Sequence, residues 1–248
     1  MDISKVAWTA GGHRLTAAAG SVTGNRYREN YDVVHLDPAR PLAVVADGMG
    51  EGPGSAAAGR TAVDVFVRSV DGSSPAELRA AVAAAQREVR RAGRTLDELT
   101  GCTLTAFVAG ADPYAWLVQV GDSRAYRLRD GLLELLTTDH TVAWIGLLHG
   151  WFAAGSEEAR TARYRLTRYL GHPGDPEPDV LNVTLHPGDV YLLCTDGVGD
   201  QLGYERLMQL LGTNPDPAAA AAFILADTLT EGGADNATAV VIRVEETV

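Results

Sequence analysis

Positive charge is what this 248-residue chain is short of. Lysine and arginine number 21 against 32 aspartates and glutamates, for a formal net charge of -11 and a pI near 4.9. Nucleic acid and anionic bilayers are gripped by clustered Lys and Arg, so neither is expected as a partner. Cysteine is equally scarce. Cys102 and Cys194 each sit inside an apolar run, which suits two buried core thiols and excludes a disulfide framework or a zinc site. Long hydrophobic runs are missing too. None approaches the roughly 18 residues of a membrane span, and the N-terminal stretch MDISKVAWTAGGHR has no apolar signal core. A soluble, cytoplasmic protein with nothing to cleave is expected.

What is present is an ordinary globular composition, 46% hydrophobic and 21% charged, which argues against disorder. Residues 1–12 read as a short leader, with strands over 14–22 and 32–36. The run 42–46 is continuously apolar and is broken by Gly48 and Gly50, the pattern of a strand buried on both faces. Helices follow over 54–70 and from Ser74-Pro75-Ala76-Glu77, a capping box with proline at the first helical position, to Gly93. The outward Arg79, Arg87, Glu88 and Arg91 read as a solvated face. Strands then run from about Thr100, with a hairpin turn at Asp130-Gly131. Residues 141–165 form an inserted helical segment with Trp144, Trp151 and Phe152. Strands resume at 181–185 and 190–195, two helices follow, and a strand over 239–244 closes the pattern. This order does not alternate as βαβ units do. It predicts one α+β domain, residues 1–248, with two packed antiparallel sheets flanked by helices, an αββα sandwich.

Four Asp-Gly pairs occur, at Asp47, Asp71, Asp130 and Asp196. Ordinary turns account for Asp71 and Asp130. Asp47 and Asp196 each end an apolar strand, Asp122 follows another, and Asp235 precedes the last. Taken singly each suits a turn or a cap. As a set, converging carboxylates raise one another's pKa unless a cation sits among them, and no lysine lies near these motifs. A hard divalent ion with oxygen ligands meets that need, and two such ions about 3.5–4 Å apart hydrolyse phosphate esters.

The ordered motifs DGMG (47–50), GDSRAYRLRDG (121–131), LTTDHT (136–141), LTRYLG (166–171), LLCTDGVGDQL (192–202) and GGADNATAVV (232–241) resemble the type 2C, metal-dependent protein phosphatases, in their compact bacterial form. The resemblance runs from about Gly20 to Val244. It implies hydrolysis of phosphoserine and phosphothreonine in proteins by a hydroxide bridging two manganese or magnesium ions, with Asp47, Asp196 and Asp235 as the catalytic set. Asp47 resembles the bridging carboxylate, Gly48 the carbonyl ligand, and Asp196 and Asp235 the remaining ligands of the first metal. Asp122 resembles the ligand of a third, weaker metal, Asp32 the acid supporting the metal waters, and Asn236 the residue fixing the loop of Asp235. The implied partners are phosphorylated proteins and an opposing Ser/Thr kinase, and the expected state is a monomer.

The chain also departs from that pattern. Tyr27 stands where a phosphate-binding arginine is expected, and Tyr31 where a glutamate is. Either Arg26 or Arg28 reaches phosphate by a one-residue shift such as a bulge permits, Arg28 being preferred, or both are surface charges. Glu51 falls beside the metal site or simply in the first turn of the next helix. Met49 replaces a histidine of animal relatives, so a leaving alkoxide takes its proton from water, while His140 reads as packing. The 141–165 segment corresponds to a shortened flap in which only Glu157 and Glu158 offer a further carboxylate to a third metal. Two competing functions stay open: a catalytically weakened or inactive relative acting as a regulatory binding module, and a small-phosphoester phosphatase of the same fold.

Overall fold

Two apolar strands set the plan of the computed structural model, which describes residues 1–72, 74–96 and 99–245. Leu42–Ala46 and Val190–Cys194 are buried along their whole length. Side chains alternate across a strand, so a run buried throughout has to be covered twice. Ala43, Val45, Tyr191 and Leu193 point into the space between two sheets. Leu42, Val44 and Ala46 lie under one pair of helices, and Val190, Leu192 and Cys194 under another.

The six-stranded sheet runs in the order β1 (Ile3–Ala10), β2 (His13–Val22), β11 (Ala237–Val244), β10 (Val190–Cys194), β7 (Arg124–Arg129), β8 (Leu132–Leu135). The five-stranded sheet is β3 (Val33–Leu36), β4 (Leu42–Ala46), β5 (Leu104–Ala109), β6 (Tyr114–Val120), β9 (Asp179–Thr184). Every pairing is antiparallel. Helices α1 (Pro53–Ser69) and α2 (Pro75–Gly93) cover the second sheet, and α6 (Tyr204–Thr213) and α7 (Pro217–Thr230) the first. The result is the αββα sandwich read from the element order. Ser74 caps α2 as its sequence predicts: its hydroxyl accepts from the Glu77 backbone N–H, and the Glu77 carboxylate accepts from the Ser74 N–H at 3.1 Å. The hairpin turn holds as well, with Asp130 and Gly131 at φ 51° and 78°.

The leader reading is corrected. Ile3–Ala10 is an edge strand, paired with β2 from Ile3↔Gly20 to Ala10↔His13 through a turn at Gly11-Gly12. Its alternation was masked by small residues and by Lys5, which points outward as an edge strand requires. Trp8 anchors it, 4% exposed, its indole N–H donating to the Asp37 carbonyl at 2.8 Å. The flap-like segment carries two short helices, α3 (Val142–Leu148) and α4 (Glu157–Ala162), and its base is closed by the Thr141↔Leu166 bridge. The short helix α5 (Asp196–Gly199) follows β10 directly. Among the described residues no helix is long and apolar enough to cross a membrane.

One buried ion pair closes the far end of the sandwich. Arg129 on β7 holds both oxygens of Asp189 at 2.6 and 2.7 Å, and Asp189, with no exposed side-chain surface, also accepts from the Tyr191 hydroxyl and the His186 N–H at 3.0 Å each. Arg129→Ala strands that carboxylate without its cation. It should cost about 3 kcal/mol in urea denaturation at an unchanged m-value, with Arg129→Ala/Asp189→Asn costing less than the sum of the two single changes.

Candidate metal centre

The site lies at one end of the sandwich, where strands of both sheets stop. Asp47 and Gly48 leave β4, Asp196 leaves β10, Asp235 and Asn236 lead into β11, Asp122 sits in the β6–β7 turn, and Asp32 leads into β3. Asp47, Gly48, Asp122, Asp196 and Asp235 line one cleft of about 320 Å³, with Tyr27, Tyr31, Met49, Glu51 and Tyr164 on its walls.

Hydrogen bonds hold Asp32 and the segments bearing Asp47, Asp122 and Asp235 from behind. The Asp47 N–H donates to Thr103 Oγ1 at 2.9 Å, and that hydroxyl pairs with Ser123 Oγ at 2.7 Å. Asp32 is buried, and its Oδ2 accepts from the hydroxyls of Thr195 at 2.8 Å and Thr238 at 2.7 Å. Asn236 Oδ1 accepts from the Gly24 N–H at 3.1 Å, tying the loop before β11 to the N-terminal segment. At Gly48 an added Cβ would stand 2.6 Å from the Ser55 carbonyl oxygen and 2.9 Å from that of Tyr31. Only glycine lets the main chain pass there. The turn bearing Asp122 is held by His140, whose Nδ1 accepts from the Gly121 N–H at 3.1 Å. That bond leaves the proton on Nε2, which faces Asp179 Oδ2 at 3.1 Å. Burial holds this imidazole below its ordinary pKa, as the packing role predicts.

The electrostatics mark the set as unusual. Burial, then the neighbouring carboxylates, push Asp32 up to about 7 and Asp196 up to about 6. Asp47 is raised well above its ordinary value by burial and by Asp196, Asp32, Asp235 and Asp122 in turn. Asp122 is raised by burial, Asp196, Asp139 and Asp200, and Asp235 by burial, Asp200 and Glu51. Two oxygens, Asp32 Oδ1 and Asp196 Oδ1, are buried without any hydrogen-bond partner. Such an orphaned acceptor costs about 1–3 kcal/mol, more if charged. An all-oxygen donor set with unspent lone pairs fits a hard divalent cation. The carboxylates border an open cleft and do not form a closed cage: among the described residues no three acidic, histidine or cysteine side chains meet as a ready ligand set.

The phosphate-gripping candidates separate. Residues 23–32 form a loop, so no bulged strand shifts the arginines. Arg26 lines a second cleft, of about 180 Å³, beside Asp196 and Asp235, whereas Arg28 is exposed and lines neither cleft. Glu51 borders the metal cleft. Glu157 and Glu158 line a separate cleft with Phe152 and Arg165, so the flap brings no carboxylate to Asp122. Sequence reasoning missed Arg163, Tyr164 and Asp200, which line the second cleft with Arg26. Asp200 belongs to the same LLCTDGVGDQL run as Asp196, one turn further on, and that spacing was the available signal.

Comparison with known proteins gives one family throughout. The model of the family described as Protein phosphatase 2C matches residues 24–229. The serine/threonine protein phosphatase PstP of Mycobacterium tuberculosis is 34% identical over 241 residues, covering 93% of this chain and 45% of its own length. The chain thus spans about half the length of that curated relative. A crystal structure of the M. tuberculosis phosphatase superposes with a TM-score of 0.84 at 32% identity, covering 94% of this chain and 99% of that one. The catalytic domain of PstP in complex with two manganese ions superposes with a TM-score of 0.82 at 32% identity, over 94% and 99% of the two chains.

Raised carboxyl pKa values carry a sign. An acid whose ionisation is suppressed by folding stabilises the fold at low pH, and that contribution fades as pH climbs from the ordinary aspartate range through the raised values near 6 and 7. The chelator-treated protein should therefore lose thermal stability between pH 5 and 8 by calorimetry, and Mn²⁺ should restore more at pH 8 than at pH 5. Asp196→Asn should raise the melting temperature of the chelator-treated protein by about 2–4 °C and reduce the gain from Mn²⁺.

Proposed function

We propose, on the premise that this chain belongs to the protein phosphatase 2C family, that it hydrolyses phosphoserine and phosphothreonine in proteins. The observation that carries the reading is the gathering of mutually opposed carboxylates, Asp47, Asp196 and Asp235 at the ends of β4, β10 and β11 and the buried Asp32 before β3, with Asp32 Oδ1 and Asp196 Oδ1 left without a partner. Asp47, the Gly48 carbonyl, Asp196 and Asp235 would hold two manganese or magnesium ions. Asp32 would orient their waters, and Asp122 would offer a weaker third position. Two such ions, when bound, activate water for in-line attack and stabilise charge on the phosphoryl group. The mycobacterial relative with two manganese ions supports that count.

The chain's own residues supply the remainder. Cys102 and Cys194 are fully buried, and burial pushes both thiols up, Cys194 to about 12, so no thiolate competes as nucleophile. Burial, Asp235, Glu51, Asp47 and Asp196 raise the Tyr27 phenol, which keeps its proton as a neutral donor on the cleft wall. Met49 has no proton to give, so the leaving alkoxide takes one from solvent. The reading brings with it phosphoprotein substrates, an opposing Ser/Thr kinase, and a monomer working in the cytoplasm.

Hydrolysis of an aryl phosphate and of phosphoserine and phosphothreonine peptides, with and without Mn²⁺, tests this. The wild type should act on all of them only with the metal. Asp47→Asn and Asp196→Asn should each lose at least about 100-fold, since even residues one layer behind a metal typically cost 10–100-fold. Absence of metal-dependent hydrolysis in the wild type would favour the regulatory binding module. Activity confined to the aryl phosphate would favour a small-phosphoester phosphatase.

A further inference from the structure

The family pattern places an arginine where this chain has Tyr27, so the cation that grips phosphate has to come from elsewhere. The second cleft shares Tyr27, Tyr164, Asp196 and Asp235 with the metal cleft and opens directly beside it. Its cations are Arg26, from the N-terminal loop, and Arg163, at the end of α4 on the flap. We infer that Arg163, assisted by Arg26, binds the phosphoryl group of the substrate from this side of the metal centre. The inference rests on the phosphatase reading above and deepens it.

Arg163 is oriented but not spent. Its Nη1 faces Asp200 Oδ2 at 3.3 Å, beyond the 2.7–2.9 Å typical of a charge-assisted hydrogen bond. Asp200 already shares its other oxygen with Arg124 at 3.1 Å. The Nη2 donates to the Tyr164 hydroxyl at 2.7 Å, and the buried Nε has no partner. The guanidinium lies over the Tyr164 ring at 4.7 Å, which fixes its plane, and 42% of the side chain remains exposed. With Nε buried, the guanidinium meets a phosphate through its two Nη groups, on the side of the cleft that Arg163 lines. Arg26 is exposed on the same cleft, with no side-chain partner among the described residues.

The charge balance supports the same assignment. Three acids, Asp196, Asp200 and Asp235, face two arginines around this cleft. Divalent ions on Asp196 and Asp235 would cancel two of the three, leaving a positive wall toward an incoming phosphate. The neighbouring flap arginines lie elsewhere: Arg160 is paired with Glu157 at 2.6 Å, and Arg165 lines a different cleft.

Inorganic phosphate is the probe, titrated calorimetrically into the manganese-loaded protein. Arg163→Gln should weaken phosphate binding about tenfold or more, and Arg26→Ala by less. Arg163→Lys should fall between wild type and Arg163→Gln, because it keeps the charge and loses the fork. Arg160→Ala, on the same helix, should match wild type. Manganese titrations should be equal in all four variants, which separates loss of phosphate from loss of metal. With the aryl phosphate, Arg163→Lys should raise KM with kcat nearly unchanged, a readout that holds even if Arg163→Gln perturbs the flap. Phosphate binding by Arg163→Gln within twofold of wild type, with manganese binding intact, overturns the inference. Absence of metal-dependent hydrolysis in the wild type would instead overturn the phosphatase reading beneath it.

Discussion

Carboxylates repel one another, and this molecule holds several of them together. Asp47, Asp32, Asp196 and Asp235 each raise a neighbour's pKa or have their own raised by one, and burial adds to the cost for all four. A flexible segment would relieve that strain by moving apart. Here Asp47, Asp196 and Asp235 sit at the ends of β4, β10 and β11, strands buried along all or nearly all of their length, and Asp32 directly precedes β3. The stability of the sandwich therefore sustains the instability of the site, and a bound cation would reconcile the two.

The supports behind the acids do the same work at closer range. Thr103, Ser123, Thr195 and Thr238 are buried hydroxyls whose hydrogen bonds end on Asp47 or Asp32. Buried polar groups of this kind are costly unless satisfied, so their concentration at one end of an otherwise apolar core marks the place where rigidity is needed. Arg124 joins Asp139 at 2.6 Å to Asp200 at 3.1 Å, linking the segment after β8 to the turn that follows Asp196. Arg163 brings the flap to the same acid. The acid-lined end of the molecule and its flap-like segment thus meet at one carboxylate.

Legibility in the sequence followed the range of the interactions. Local signals read well: the continuous apolar runs of β4 and β10, the capping box at Ser74, and the Asp130-Gly131 hairpin are each written in a few adjacent residues. β1 was missed because its evidence is a partner strand, not a pattern of its own. Small residues blur its alternation, and Lys5 belongs to it only as an edge strand. The flap acids illustrate the opposite error. Glu157 and Glu158 have suitable chemistry, but α4 turns them toward Phe152 and Arg165, away from Asp122.

By itself the sequence determined the sandwich and singled out the strand-end acids that the fold gathers, because strand ends and Asp-Gly breaks are covalent neighbours and travel together. It also placed both cysteines inside core strands or beside them, where both are buried. Which cations border the site was decided only by the tertiary structure. Arg26 and Arg163 are separated by well over a hundred residues and come from a loop and a helix end, segments whose direction depends on what they pack against. Arg26 and Arg28 differ by two positions along that loop, and only one of them turns toward Asp196 and Asp235. Strand periodicity carries no information about such a choice; the path of the folded chain does.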